Sequence, residues 1–189
     1  MFATKKYSYS SLLEYYPVRY NVSDELAHDR KEVYDFKEGH ASQRVKDLLV
    51  ERINKITAGE KGKWLICFIP SSKQATTVLR YGKLSKYLSA HTGVMASNTA
   101  ISNKEDREAQ HTGARLSDPS ATFAFSRSEI AGKKILWIDD VITNGSSFRK
   151  CAEHLKASGA ADVQGLFVAR TMHPGLTTYT RNMFLTFLF

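Results

Sequence analysis

The residues with the clearest capacity for chemistry lie together in the stretch KKILWIDDVITNGSSF, at positions 133–148. Two adjacent carboxylates, Asp139 and Asp140, end an apolar run. The turn that follows the acids contains five small residues: Thr143, Asn144, Gly145, Ser146 and Ser147. A helix that begins at such a turn offers unpaired backbone N–H groups and a partial positive charge, which together bind phosphate. The acids would repel that phosphate, so they suit sugar hydroxyls or a divalent cation on a polyphosphate.

The stretch therefore predicts a site for a sugar phosphate whose two ends are recognised separately. The alternative interpretation is an ordinary turn between a strand and a helix. Two other phosphate-binding patterns are excluded, because neither G-x-x-x-x-G-K-[ST] nor G-x-G-x-x-G occurs in the chain. The six histidines show no spacing typical of a transition-metal site.

The elements around this stretch alternate between helix and strand. Apolar spacing predicts a helix over 42–57 and another over about 75–92, with Gly93 as its C-terminal cap. Continuous apolar runs predict buried strands at 63–69, at 133–139 and near 163–170, and a helix follows the turn at 145. The segment 97–125 is polar and irregular, which is typical of a functional loop or of a disordered segment. This order predicts an α/β fold with a parallel sheet flanked by helices, and ligands outside the carboxyl ends of its strands.

The totals fit one domain with an anionic partner. The chain has 189 residues, 27 Lys and Arg against 19 Asp and Glu, and a formal charge of +8. This balance favours phosphate-rich small molecules or nucleic acid. Its two cysteines, Cys67 and Cys151, are too few for a disulfide framework and indicate a reducing compartment. No apolar run reaches the ~20 residues of a membrane span, so we expect a cytoplasmic protein without a membrane partner.

The segment ILWIDDVITNGSS resembles the phosphoribosyl-pyrophosphate (PRPP) motif of the type I phosphoribosyltransferases, which has an apolar strand, two acids, two aliphatic residues and then Thr-x-Gly-x-Ser/Thr. The resemblance implies that Asp139 and Asp140 contact the ribose 2′- and 3′-hydroxyls. It also implies that the turn from Thr143 to Ser147 surrounds the 5′-phosphate. Asn144 departs from the pattern, since the family usually has Thr or Ser at that position.

The same resemblance implies further PRPP-binding and catalytic residues upstream. The segment IPSSK matches the pyrophosphate-binding loop in position, which assigns Ser71, Ser72 and Lys73 to that loop. In this family the loop often holds a strained cis peptide, here Ser72–Lys73. Arg80 would also bind PRPP, and the segment 97–125 would be a lid that closes over the reaction centre. The candidate cations of that lid are Lys104, Arg107, His111 and Arg115, of which Arg107 joins Lys73 and the paired acids as a catalytic candidate.

Within the family, the chain most resembles the competence-protein (ComF) and amidophosphoribosyltransferase-like group. Arg80 with Tyr81, Gln110 and the segment ATFAFS carry this finer resemblance. The chain lacks the cysteines for the N-terminal zinc ribbon that ComF-like proteins often have. Thr143 stands where family members that act on 6-oxopurines have an acid, which argues against a hypoxanthine or guanine substrate.

The resemblance implies a division of the chain and an activity. Residues 46–170 would form the α/β core, and residues 1–45 and 171–189 would supply the variable hood that selects the acceptor. The expected reaction is Mg²⁺-dependent transfer of the 5-phosphoribosyl group from PRPP to a base or an amine, by a homodimer. Two alternatives remain: a PRPP-binding regulator that transfers nothing, and a competence-like protein that acts on DNA. A nucleic-acid partner fits the charge but is less favoured.

Overall fold

The computed structural model describes residues 7–71, 73–104 and 122–173. The first half of the chain contains β1 (Tyr9–Tyr15), α1 (Asp24–Lys37), α2 (Gln43–Ile56), β2 (Trp64–Phe68), α3 (Gln74–Thr92) and β3 (Met95–Ser97). The second half contains β4 (Ile101–Asn103), β5 (Phe123–Phe125), α4 (Arg127–Ile130), β6 (Lys134–Ile142), α5 (Ser146–Ala157) and β7 (Asp162–Thr171).

Five of the strands form one parallel sheet in the order β1-β7-β6-β2-β3. The central strand β6 lies between β2 and β7, with Ile138 paired to Phe68 on one side and to Leu166 on the other. The five residues of β2 are all buried, as a strand covered on both faces requires. The predicted α/β fold with a helix-flanked parallel sheet is therefore confirmed.

Apolar side chains cover both faces of this sheet. One face packs against α1, α2 and α3 through a cluster that includes Phe36, Leu49 and Tyr81. The other face packs against α5 and the β4–β5 pair through a cluster that includes Trp137, Phe148 and Phe167. The sheet thus forms the middle of a three-layer arrangement.

The two predicted helices upstream of the site are confirmed within a residue or two. Side-chain hydrogen bonding from Ser42 caps α2, because its hydroxyl accepts the Val45 N–H at 3.1 Å. Gly93 ends α3 in the left-handed conformation, with φ of 71°. Such a backbone favours glycine.

The prediction of an irregular segment over 97–125 needs correction at both of its ends. Residues Ile101–Asn103 and Phe123–Phe125 pair as a short antiparallel sheet, and Met95–Ser97 forms an edge strand of the main sheet. Three-residue strands are too short to show a period of two in the sequence. The predicted lid residues between 105 and 121 lie outside the described residues.

The N-terminal segment contributes directly to the main sheet. Strand β1 pairs in parallel with β7, from Tyr9 opposite Gly165 to Tyr15 opposite Thr171. The division into residues 1–45, 46–170 and 171–189 stays a prediction, and residues 174–189 lie outside the described part of the chain.

Candidate functional site

The turn after β6 has the geometry of a helix start. Gly145 has φ of 72° and precedes α5 directly. The side-chain oxygen Oδ1 of Asn144 accepts the Ser146 N–H at 3.0 Å. The first intrahelical hydrogen bond of α5 joins the Arg149 N–H to the Gly145 carbonyl at 2.9 Å. The N–H groups of Ser147 and Phe148 therefore precede the helical hydrogen-bond ladder and suit an anion.

A pocket of about 140 Å³ lies against this turn, and we call it the turn pocket. Its lining brings one of the paired acids together with the whole predicted phosphate-binding turn. The lining residues are Trp137, Asp139, Val141, Ile142, Thr143, Asn144, Gly145, Ser146, Ser147, Phe148 and Phe167.

Each of the paired acids accepts a backbone hydrogen bond at the end of β6. The Oδ1 atom of Asp139 accepts the Asp140 N–H at 2.8 Å, and that of Asp140 accepts the Val141 N–H at 2.7 Å. Burial and then the charge of Asp140 raise the pKa of Asp139 to about 8. The Asp140 N–H and the charges of Arg80 and Lys37 oppose this rise. An acid with this raised pKa is unfavourable in the ionised form unless a cation or hydrogen-bond donors approach it.

A second pocket of about 220 Å³ adjoins the first, and we call it the α1 pocket. It lies between α1 and the ends of β1, β6 and β7. Its lining residues are Tyr15, Val33, Tyr34, Lys37, Asp140, Val141, Thr143 and Thr171. The two pockets share Val141 and Thr143, so they flank the same end of β6.

Sequence reasoning missed the contribution of α1 to this site. Tyr34 and Lys37 lie about a hundred positions before the acids in the sequence, and they reach the site because α1 packs across the sheet. No local pattern marks them, because nothing near them in the sequence resembles the PRPP motif. Only the pairing of β1 with β7, which places Tyr15 beside Thr171, could have indicated them.

The predicted pyrophosphate loop is held by side chains from two other elements. The Ser71 N–H donates to Thr77 Oγ1 at 2.8 Å, and the Ser71 carbonyl accepts from the Asn103 side-chain amide. Since β2 and β6 are neighbouring parallel strands, Ser71 lies at the same edge of the sheet as the paired acids. Lys73 is exposed and immediately precedes α3. Ser72, and with it the Ser72–Lys73 peptide, lies outside the described residues.

Arg80 lies on α3 and acts on the site through its charge. Its guanidinium carbon is 5.7 Å from the centre of the Tyr81 ring, which stacks on Phe68 with the ring centres 4.7 Å apart. The Arg80 charge lowers the pKa of Asp139. Of the predicted lid cations, Lys104 is exposed at the end of β4, where its N–H donates to the Thr122 carbonyl at 3.0 Å. Arg107, Gln110, His111 and Arg115 lie outside the described residues.

The described residues contain no further candidate for a metal site or a reactive cysteine. There, no group of three or more His, Cys, Asp or Glu side chains could hold a metal ion. Cys67 and Cys151 are both buried and free, and burial raises the pKa of the Cys67 thiol, which makes it inert. In the same ranges, every helix is too short or too polar to cross a membrane.

Comparison with solved structures finds 46 similar chains, and the following three are among them. The first is the allosteric regulatory enzyme of purine biosynthesis, with 18% identity over 66% of this chain and 25% of that chain and a TM-score of 0.42. The second is phosphoribosylpyrophosphate synthetase from Mycobacterium smegmatis, with 15% identity over 75% and 51% and a TM-score of 0.41. The third is a hypoxanthine phosphoribosyltransferase from Staphylococcus aureus, with 16% identity over 81% and 77% and a TM-score of 0.40.

The chain therefore spans about a quarter and about half of the lengths of the first two proteins. No protein-family model and no curated protein matches the sequence.

Proposed function

We propose that this protein binds PRPP with Mg²⁺ and transfers its 5-phosphoribosyl group to a nitrogen nucleophile, a base or an amine, with release of pyrophosphate. One observation carries the proposal: the turn pocket combines the carboxylate of Asp139 with the N-terminus of α5 at the carboxyl end of the central strand. Sugar hydroxyls donate to carboxylates, whereas phosphate accepts from helix N–H groups. PRPP presents both kinds of group on one ribose.

The transfer is a substitution at ribose C1. The bond from C1 to the pyrophosphate oxygen breaks, and its electron pair leaves with pyrophosphate. The acceptor nitrogen donates its lone pair to C1, and the proton that this nitrogen carried passes to water. Because C1 becomes electron-poor as the bond breaks, the protein must hold the ribose, bind the leaving charge and limit access of water.

The described residues divide these tasks. Asp139 and Asp140 accept hydrogen bonds from the ribose hydroxyls, and the Ser147 and Phe148 N–H groups bind the 5′-phosphate. Lys73, exposed at the start of α3, binds the pyrophosphate. Protonation of Asp139 removes one of its hydrogen-bond acceptor sites. Ligand binding therefore has to favour the ionised carboxylate, by bringing hydrogen-bond donors and a cation close to it.

The residues present fit Mg²⁺ bound mainly through the substrate. Mg²⁺ typically takes one or two carboxylates, with substrate phosphates and water as its other ligands, and Asp139 and Asp140 are the acids at the proposed site. A bound Mg²⁺ would neutralise charge on the departing pyrophosphate. Its positive charge would also favour the ionised form of Asp139, whose pKa is otherwise raised.

The experiment is a pair of measurements on the wild type and on two variants. Calorimetry measures PRPP binding with and without Mg²⁺, and a coupled assay measures pyrophosphate release with a panel of acceptors. We expect the double variant Asp139→Asn/Asp140→Asn to lose Mg²⁺-dependent binding and turnover. The control Asp162→Asn, exposed at the opposite end of the sheet, should behave like the wild type. Normal turnover by the double variant would overturn the proposal.

The same measurements separate the two alternatives. A regulator would bind PRPP fully and consume none of it with any acceptor. A competence-like protein would bind DNA with an affinity that falls steeply with salt, since affinity for phosphate backbones depends on counterion release. Salt-dependent DNA binding of this kind would indicate that the net charge of +8 serves to bind nucleic acid and not pyrophosphate.

A further inference from the structure

Both backbone groups of Ser71 are held by side chains from other parts of the chain. The Ser71 N–H donates to Oγ1 of Thr77 at 2.8 Å, and Thr77 is a buried residue in the first turn of α3. The Ser71 carbonyl accepts from the side-chain amide of Asn103, which lies on β4, 32 residues later in the sequence. The conformation of the predicted pyrophosphate loop therefore depends on two side chains outside it.

Thr77 connects the loop to the start of α3. While its hydroxyl accepts from the Ser71 N–H, the same hydroxyl donates to the Lys73 carbonyl at 3.3 Å. That carbonyl also accepts the Thr77 N–H at 3.1 Å. One buried side chain thus joins the backbone before the loop to the backbone after it.

Asn103 belongs to a short antiparallel ribbon, formed by β4 and β5, that has its own anchor in the fold. The carboxylate of Glu129 on α4 accepts from the Ser97 hydroxyl at 2.5 Å and from the Thr99 hydroxyl at 3.1 Å, directly before β4. The ribbon is therefore fixed at the edge of the main sheet. Asn103, the last residue of β4, connects this anchored ribbon to Ser71.

The contact between Asn103 and Ser71 is suited to a hydrated anion. Within the described part of the chain, two buried atoms of this pair have no hydrogen-bond partner: Oγ of Ser71 and Oδ1 of Asn103. Buried polar atoms in folded proteins are nearly always paired. A hydroxyl can donate to a phosphate oxygen, and an amide oxygen can accept from water on the same anion. Positive charge lies close by, since Lys73 directly precedes α3 and Arg80 is part of that helix.

We propose that Asn103 is a positioning residue, which holds the predicted pyrophosphate loop in the conformation that binds pyrophosphate and couples that binding to the β4–β5 ribbon. This inference rests on the proposed transferase function. A positioning role is distinguishable from a general structural role, because Asn103 contacts the loop but is absent from the lining of the turn pocket. Its loss should therefore affect one end of PRPP and spare the other.

The first test measures the two ends of PRPP separately. Calorimetry with Mg²⁺ gives the Kd of PRPP, of inorganic pyrophosphate and of ribose 5-phosphate. Asn103→Leu, which has a similar size and no amide, should weaken PRPP and pyrophosphate by about tenfold, because one hydrogen bond to the loop is lost. Ribose 5-phosphate should change by less than about twofold, since the turn pocket is untouched. Asn103→Gln, which keeps the amide, should lose less affinity.

The matched control is Ser102→Ala on the same strand. Successive side chains of a strand point to opposite faces, so Ser102 does not share the face of Asn103. This variant should bind all three ligands like the wild type.

The second test uses the other side chain that holds the loop. Thr77→Val removes the hydroxyl and preserves the shape of the side chain, whereas Thr77→Ser preserves the hydroxyl. We expect Thr77→Val to weaken pyrophosphate binding by about as much as Asn103→Leu, and Thr77→Ser to stay close to the wild type.

The third test is hydrogen exchange, which measures the coupling directly. Coupling between two sites is reciprocal, so saturating pyrophosphate should slow exchange in the ribbon of the wild type. The Lys104 N–H reports this effect, because it donates to the Thr122 carbonyl at 3.0 Å. In Asn103→Leu, saturated with pyrophosphate, this slowing should be absent.

The outcomes distinguish this inference from the function on which it rests. Equal losses of pyrophosphate and ribose 5-phosphate affinity in Asn103→Leu would overturn the inference, as would unchanged affinity for all ligands or equal slowing of exchange in this variant and the wild type. None of these results affects the transferase function. PRPP binding without turnover would overturn the transferase function alone, whereas absence of PRPP binding by the wild type would overturn both.

Discussion

At the scale of single residues, Asp139 couples the site to the stability of the fold. Its pKa is raised from 3.8 to about 8 by burial and by Asp140. Between these values the folded chain binds more protons at this residue than the unfolded chain does. The free energy of unfolding therefore decreases as pH rises through that range, by at most about 1.4 kcal/mol per pH unit for one proton. The loss of stability caused by ionisation of Asp139 is absent below about pH 4 and complete above about pH 8.

We therefore predict that Asp139→Asn flattens this pH dependence. The amide is neutral at every pH, so the variant should gain stability relative to the wild type as pH rises from 5 to about 8. Urea unfolding at intervals of one pH unit measures the difference, and Asp162→Asn, an exposed acid on β7, is the control. A constant difference between the wild type and Asp139→Asn across this range would contradict the prediction.

Asn144, the one departure from the motif in the turn, has a structural role. Its Oδ1 accepts the Ser146 N–H at 3.0 Å, as Asn side chains commonly do at turns. A Thr or Ser hydroxyl at this position can accept from the same kind of donor. The departure therefore leaves the geometry of the α5 start intact, and the N–H groups of Ser147 and Phe148 still precede the helical hydrogen-bond ladder beside the turn pocket.

At the scale of elements, Gly165 sets how closely β7 and α5 approach each other. A Cβ atom on Gly165 would lie 2.7 Å from a ring carbon of Phe167 and 3.0 Å from one of Phe148. Phe148 is in the first turn of α5, and both phenylalanines line the turn pocket. A methyl group on Gly165 would therefore move the residues that surround the proposed phosphate.

We predict that Gly165→Ala destabilises the protein and weakens PRPP binding together. Overpacking of a buried site typically costs about 1–3 kcal/mol. Urea unfolding and calorimetry with PRPP measure the two effects. The control is Gly62→Ala, where a Cβ would meet nothing within 4 Å. Loss of stability in Gly165→Ala with unchanged PRPP affinity would show that the contact of α5 with β7 does not position the site.

Elements with local signals were predictable, whereas those that depend on long-range contacts were not. The apolar run of β6 and the periodicity of α2 and α3 appear within their own residues. The bounds of α2 and α3 agree with the structure, whereas β6 continues beyond its predicted end at 139 to Ile142. The paired acids and the turn likewise occupy one continuous stretch. By contrast, β1 became a strand through pairing with β7, and Lys37 reached the site through the packing of α1. Neither the pairing nor the packing can be predicted from the residues that are nearby in the sequence.

At the scale of the whole molecule, the N-terminal segment and the sheet share one core. Phe36 of α1 is 1% exposed, and its ring centre is 6.2 Å from that of Tyr81 on α3. Tyr81 in turn stacks on Phe68 of the sheet. Elements that bury the same side chains unfold cooperatively in small domains. The α1 side of the α1 pocket should therefore be as stable as the sheet.

We predict that Phe36→Ala lowers the stability of the sheet as much as that of α1. The loss should be about 3–5 kcal/mol, as for other buried Phe→Ala changes. Trp64 and Trp137 are both buried in the sheet, so tryptophan fluorescence reports the sheet, whereas far-UV circular dichroism also reports α1. In urea titrations both midpoints should shift together, and Val18→Ala, at a side chain 67% exposed, should shift neither. If Phe36→Ala moved only the dichroism midpoint, α1 would be a separate unit, as expected of an independent hood.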